Sequence, residues 1–126
     1  MDTITVTEKD DSFEINAAVH LMGRDILVVL AGGVLHIGAI GIGEPRSSLK
    51  YEGRISSTGS VFTFLGHKED AIVKPMAEEL ASRLNRKAVV VAGIHWDKLT
   101  MEELEKIMSI CRRITEKIIS AVEVEM

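Results

Sequence analysis

Apolar and polar residues alternate through the opening of the chain. In "TITVTE" Ile4 and Val6 alternate with threonines; in "SFEINAAVHLM" Phe13, Ile15, Ala17, Val19 and Leu21 share one side, with Glu14, Asn16, Ala18 and His20 on the other. A period of two marks a half-buried strand, and "EKDD" between the runs supplies a turn. Two further apolar runs, "DILVVLA" and "VLHIGAIGI", flank Gly32 and Gly33. A glycine pair between apolar runs predicts a two-residue hairpin, so four antiparallel strands are expected in sequence order.

The next stretch, "GEPRSSLKYEGRISSTG", is polar and punctuated by Gly43, Pro45, Gly53 and Gly59. It reads as a long loop, of the kind that is often functional. A short strand, "SVFTFLG", closes it. From Ile72 the period lengthens to that of a helix: Ile72, Val73, Met76, Ala77, Leu80, Ala81 and Leu84 form one stripe, with Glu78, Glu79, Ser82 and Arg83 turned away. Pro75 lies within this stretch, which predicts a helix that starts near it or bends there. "KAVVVAGI" is apolar without interruption, as a strand covered on both faces would be. The last helix opens on "TMEE", where Thr100 and Glu103 have capping-box spacing. Leu104, Ile107, Met108, Cys111, Ile114, Ile118 and Val122 make its buried stripe. This succession predicts an α+β fold: a single-layer, mainly antiparallel sheet of about six strands with two helices packed on one face.

With 46% hydrophobic residues in 126, residues 1–126 are expected to form one domain that buries a core without disulfides. The lone Cys111 suits a reducing cytoplasm, and "MDTITVTEKDD" has neither the basic start nor the apolar run of a signal peptide. "ILVVLAGGVL" is too short and too glycine-rich to span a bilayer, which needs about 20 residues. A net charge of −4 leaves no global basic footprint, and the few aromatics make no base-stacking platform. Neither nucleic acid nor a membrane is an expected partner.

Candidate chemistry sits at predicted strand ends. His36 in "LHIG", His67 in "LGHKED" and His95 in "GIHWD" could be gathered by one sheet, with Asp70 or Asp97 adding an oxygen, into a set able to hold zinc. Their spacing matches no local metal motif, and the alternative is that each ring is satisfied separately by a carbonyl or by water. "LGHKED" joins a strand to a helix start, where free N–H groups and the helix dipole favour an anion. Gly66 admits a close backbone approach there and Lys68 offers charge, although Glu69 and Asp70 favour the same helix end and would repel a phosphate. In the long loop, Arg46, Ser47, Ser48, Lys50 and Arg54 precede Ser56, Ser57, Thr58, Gly59 and Ser60, a mixture suited to an oxyanion. A merely solvated loop has the same composition. The sequence holds no Walker A motif, nucleophile elbow, or defensible Ser/His/Asp or Cys/His constellation. Cys111 falls on an apolar helical stripe, where a buried, inert thiol is expected.

Several strings read together, "GRDILVVLAGG", "HIGAI", "SSTGSVFTFLGHKED", "PMAEELASRLNR" and "VVVAGIHWDKLTMEEL", resemble the family typified by the D subunit of gallate decarboxylase, the LpdD-like prenylated-flavin chaperones. The likeness runs from Gly23 to Leu104. It implies a fold similar to that of proteasome assembly chaperones, a homodimer, and a non-catalytic accessory role. That role is to bind prenylated FMN, or FMN, and to help a UbiD-type decarboxylase mature. The matched positions nearest such a ligand are His36, Gly38, Ser56, Ser57, Thr58, Ser60, Gly66, His67, Lys68 and His95. One departure is the apolar tip "GGVLHIG", where relatives often carry a polar "GGDKPHIG". FMN joins a phosphate to an apolar ring system, so on this reading Gly38, Gly41 and Gly43 clear room for the flat ring while hydroxyls and Lys68 take the phosphate. Two readings stay open beside it. One is a dimeric assembly chaperone acting through protein surfaces, whose second subunit the glycines would admit; the other is a metal-dependent hydrolase built on His36, His67 and His95.

Overall fold

The computed structural model describes residues 2–64 and 69–125. Strands β1 (Asp2–Asp10), β2 (Phe13–Met22) and β3 (Asp25–Gly33) form the expected antiparallel meander. Next come β4 (Ala39–Ser47), β5 (Ile55–Thr63), helix α1 (Asp70–Leu84), β6 (Ala88–His95) and helix α2 (Met101–Glu125). The six strands make one sheet in the order β1-β2-β3-β6-β4-β5.

The predicted fourth strand does not pair with the third. β6 lies between them, parallel to β3 and antiparallel to β4, so Gly32 and Gly33 are no hairpin turn: they continue β3 and pair with Ile94 and His95. β3 and β6 are apolar on both faces, and such strands gain most from central positions, paired along both edges. Residues 34–38 are left to carry the chain across the end of β6. Val34 N–H donates to His95 O (3.1 Å) and Gly38 N–H to Ala92 O (2.8 Å), tying both ends of the crossing to the strand beneath it.

Most of the predicted loop is strand as well. β4 runs on to Ser47 and β5 begins at Ile55, so only residues 48–54 turn. Ser48 closes that turn: its N–H donates to Arg54 O (2.8 Å), and its Oγ accepts from the N–H groups of Lys50 (3.2 Å) and Tyr51 (3.0 Å). Pro45 is tolerated because β4 outruns its ladder with β6, which ends at Gly43.

Both helices pack on one face, α1 over β4, β5 and β6 and α2 over β1 and β2, and they touch each other. Between them and the sheet lie Ile15, Val19, Val28, Leu30 and Val90, with Val73 and Leu80 from α1 and Ile110, Ile114 and Ile118 from α2, none more than 1% exposed. α1 starts five residues before Pro75, which sits on its exposed side, where the carbonyl left without a partner can bind water. The capping box of α2 forms in both directions: Glu103 N–H donates to Thr100 Oγ1 (3.1 Å), and Thr100 N–H to Glu103 Oε1 (3.0 Å). Leu104, expected in the buried stripe, is exposed. Among the described residues no helix is long and apolar enough to cross a membrane.

On the other face of the sheet Val29, Ile42 and Phe62 are exposed, and Leu27, Ile40, Val89 and Val91 are half-buried. On the helix side, Gly41 and Gly43 lie so close to α1 that a β-carbon on either would overlap the carbonyl of Val73 or of Ala77. These two glycines therefore make room for a helix backbone, not for a flat ligand or a second subunit as the sequence suggested. Gly41→Ala should push α1 off the sheet and cost about 1–3 kcal/mol, read as a lower midpoint in chemical denaturation. An unchanged midpoint would contradict the close approach.

Candidate functional site

The crossing of β6 by residues 34–38 brings several of the sequence-predicted residues together. Gly93 lies directly under it: a β-carbon there would overlap the carbonyl oxygen of His36. Glycine inside an otherwise apolar strand is the mark of such an approach, and "VVVAGIH" carried that mark.

His36 is fixed at both ring nitrogens. Nδ1 donates to Val34 O (2.8 Å), and Nε2 lies 2.9 Å from Glu69 Oε1. The Val34 carbonyl can only accept, so Nδ1 carries a proton; with a second proton on Nε2 the ring is an imidazolium paired with the Glu69 carboxylate. The Val34 carbonyl, and then Glu69, raise the pKa of His36 above its ordinary value, against the opposing effect of desolvation. Glu69 precedes α1 at the N-cap position, yet its carboxylate makes no cap hydrogen bond. It is buried, 5% exposed, and turned to His36 instead. Gly38 permits this, because a β-carbon there would overlap that carboxylate. The His95 ring stands 6.1 Å from His36, edge to face, and its Nε2 lies 3.0 Å from Asp97 Oδ1.

With Nδ1 and Nε2 both engaged by oxygens, neither ring nitrogen of His36 is turned to a metal. Among the described residues no group of three or more His, Cys, Asp or Glu side chains is placed to hold one. His67, with Gly66 and Lys68, lies outside the described residues.

The hydroxyls expected at the ligand are not brought to His36. Ser56 and Ser60 pair with Arg46 and Ile42, running away from the crossing along β4. At about 3.3 Å per residue, Ser56 stands roughly 20 Å from the crossing end of that strand. Alternation also divides the run between two faces. Ser57 points at α1 and donates to Glu78 O (2.8 Å), while Thr58, on the other face with Ser56 and Ser60, accepts from Arg46 Nε (2.9 Å). Lys50 and Arg54 lie against the Tyr51 ring, 5.2 and 5.1 Å from its centre, within the turn.

What surrounds the ion pair is apolar. Val34, Leu35 and Ile37 are 60%, 78% and 58% exposed. Phe64 N–H donates to Gly38 O (2.9 Å), and the rings of Phe62 and Phe64 meet at 5.1 Å, both exposed. The His36–Glu69 pair thus sits beside an open, apolar surface. The reading from sequence missed Glu69 as a partner, and it missed this rim, whose only signal was the unusual run of apolar residues at a strand crossing.

A concavity of about 310 Å³, apart from His36, runs between α1 and α2 and is lined by Ile72, Pro75, Met76, Met108, Cys111 and Thr115. Arg83 bridges its rim by pairing with both Glu79 and Glu116. Burial pushes the Cys111 thiol up to about 12, so it is inert at neutral pH, as its place on the stripe implied.

The model of the prenylated flavin chaperone LpdD-like domain matches residues 9–123. Among solved structures, a chain from a chaperone complex for yeast 20S proteasome assembly superposes with a TM-score of 0.56 at 16% identity, over 98% of this chain and 96% of that one. The likeness establishes a shared fold, the expected six-stranded α+β arrangement. A search among curated proteins finds none that matches.

The raised pKa of His36 fixes the sign of its pH dependence. Below the ordinary value of 6.5 the ion pair contributes in full; as pH rises through the raised value, that contribution is lost. An NMR titration of His36 should give a midpoint above 6.5, lowered by Glu69→Gln, and the stability gap between wild type and that variant should shrink toward alkaline pH. A midpoint at or below 6.5 would contradict the pairing.

Proposed function

Since the chain belongs to the prenylated flavin chaperone LpdD-like family, we propose that it is a non-catalytic accessory protein. It binds prenylated FMN, or FMN, and helps a UbiD-type decarboxylase to mature in the cytoplasm. The observation that carries this reading is the His36–Glu69 pair held beside an exposed apolar rim. FMN needs two things at once: apolar surface for its ring and positive charge for its phosphate. Leu35, Ile37, Phe62 and Phe64 meet the first need. His36, paired with Glu69, meets the second when protonated, and His67, Lys68 and His95 are proposed as further contacts to the same phosphate. Glu69 and Asp97 are the carboxylates with which a phosphate would compete for these rings. Competition of that kind keeps binding reversible, as delivery to another protein requires.

A second reading, an assembly chaperone acting through protein surfaces alone, is favoured by the bare sheet face with Val29, Ile42 and Phe62 exposed. Thermal unfolding separates the two. A nucleotide at 100 times its dissociation constant adds about 2.7 kcal/mol to stability. The flavin reading expects that gain with prenylated FMN or FMN, and its loss in the double variant Leu35→Asp, Ile37→Asp. Both positions are exposed, so the unliganded melting temperature should hold. A wild type unmoved by either nucleotide contradicts the flavin reading and leaves the surface reading standing.

A further inference from the structure

The concavity between α1 and α2 has walls of one kind and a mouth of another. Ile72, Met76 and Cys111 form buried, apolar walls, and Met108 beside them is half-buried. Thr115 is polar but buried, and its hydroxyl is already given to Cys111 O (2.9 Å), so it demands no hydrogen bond from a ligand. Methionine thioethers are flexible and repack around varied apolar shapes. The volume of about 310 Å³ stands at the small end of the range for small-molecule sites, about 300–1,000 Å³. At roughly 30 Å³ for each non-hydrogen atom, the share of a water molecule in the liquid, it holds about ten such atoms. The charged residues lining it, Glu79, Glu116 and Arg112, are exposed and stand at the mouth. Both carboxylates are engaged by Arg83, at 3.3 and 2.5 Å. Among the described residues Arg112 has no carboxylate partner. Its charge nevertheless reaches the wall: burial raises the Cys111 thiol, and Arg112 opposes that rise.

We propose that this cavity binds a small amphiphile, an apolar chain of about eight carbons ending in one carboxylate or phosphate. The chain lies between Met76, Met108 and Cys111, and the head pairs with Arg112 at the mouth. Apolar walls take a chain but give no grip on a head; the guanidinium supplies that grip, and its planar fork matches two oxygens of either anion. A cationic head is the rival, since Glu79 and Glu116 share a single guanidinium. It would have to displace Arg83 from a carboxylate, whereas an anion finds Arg112 with no such bond to break. None of the residues assigned to the flavin lines this cavity, so the inference stands whether or not the chain binds one.

Met76 and Met108 report on the site directly. In wild-type protein carrying carbon-13 in its methionine methyl groups, octanoate should shift both signals saturably, with a dissociation constant below about 1 mM. The exposed Met22 and Met101 should stay unmoved, and no variant has to fold for this readout. Octyl phosphate should shift the same two signals, and the tighter of the two ligands identifies the head. Octylammonium, with the same chain and the opposite charge, should bind about tenfold more weakly or worse. Arg112→Gln, at an exposed position, should leave folding intact and erase that preference. Met76 and Met108 signals that stay still at ten times that concentration overturn the proposal. So does a shift shared equally with Met22 and Met101, which is coating by a surfactant. Octylammonium binding as tightly as octanoate, or a preference that survives Arg112→Gln, overturns it as well.

Discussion

The placement of β6 between β3 and β4 is the constraint from which the rest of this structure follows. Two strands that are neighbours in sequence are held apart by a third, and the five residues joining them must cross its end. Backbone hydrogen bonds at Val34 and Gly38 fix both sides of that crossing, and Gly93 admits it. With its route set, His36 is delivered to the residue that precedes α1, where it meets the buried carboxylate of Glu69. An ion pair in such a place is weak evidence of stability by itself, because desolvation offsets much of the attraction. Its consequence is geometric: the crossing and the helix start move together.

The sheet has a covered side and an open one, and the glycines belong to the covered side. Gly41 and Gly43 bring β4 within backbone distance of α1, while Gly38 does the same for one carboxylate. Apolar surface left over appears on the far face and at the crossing. For a chaperone that is a coherent division: one side supplies the core, and the other keeps surface in reserve for what the protein carries or meets.

Much of this was legible in the sequence, and the parts that were not share a cause. The strand alternation of β1 and β2, the stripe of α1 and the capping box of α2 are local patterns, and each appears where its residues indicated. The parallel pairing of β3 with β6 joins residues some sixty positions apart, and no local signal marks it. Gly32 and Gly33 read as a turn because a glycine pair is usually one; here tertiary pairing overrode turn chemistry. The end of β4, residues 43–47, and the start of β5, residues 55–59, read as loop because a strand packed against a helix backbone needs small residues, and glycine and serine on one face erase the alternation that reveals a strand. At the site, His36, Gly38 and His95 were named from sequence and do come together. Glu69 was taken for a helix cap, since nothing in "LGHKED" shows a carboxylate turning back to a histidine thirty-three residues earlier.

Amide hydrogen exchange at the crossing is the most direct test of whether residues 34–38 form a fixed platform. Val34 and Gly38 donate to His95 and Ala92, so in the wild type their amides should be protected far above unfolded rates, opening together with the ends of β6. Glu69→Ala should strip that protection from the crossing while leaving Val28 and Val90 in the core slow. Exchange of Val34 and Gly38 at unfolded rates in the wild type would mean that the crossing is a free loop, and neither the His36–Glu69 pair nor a ligand surface could then be anchored there.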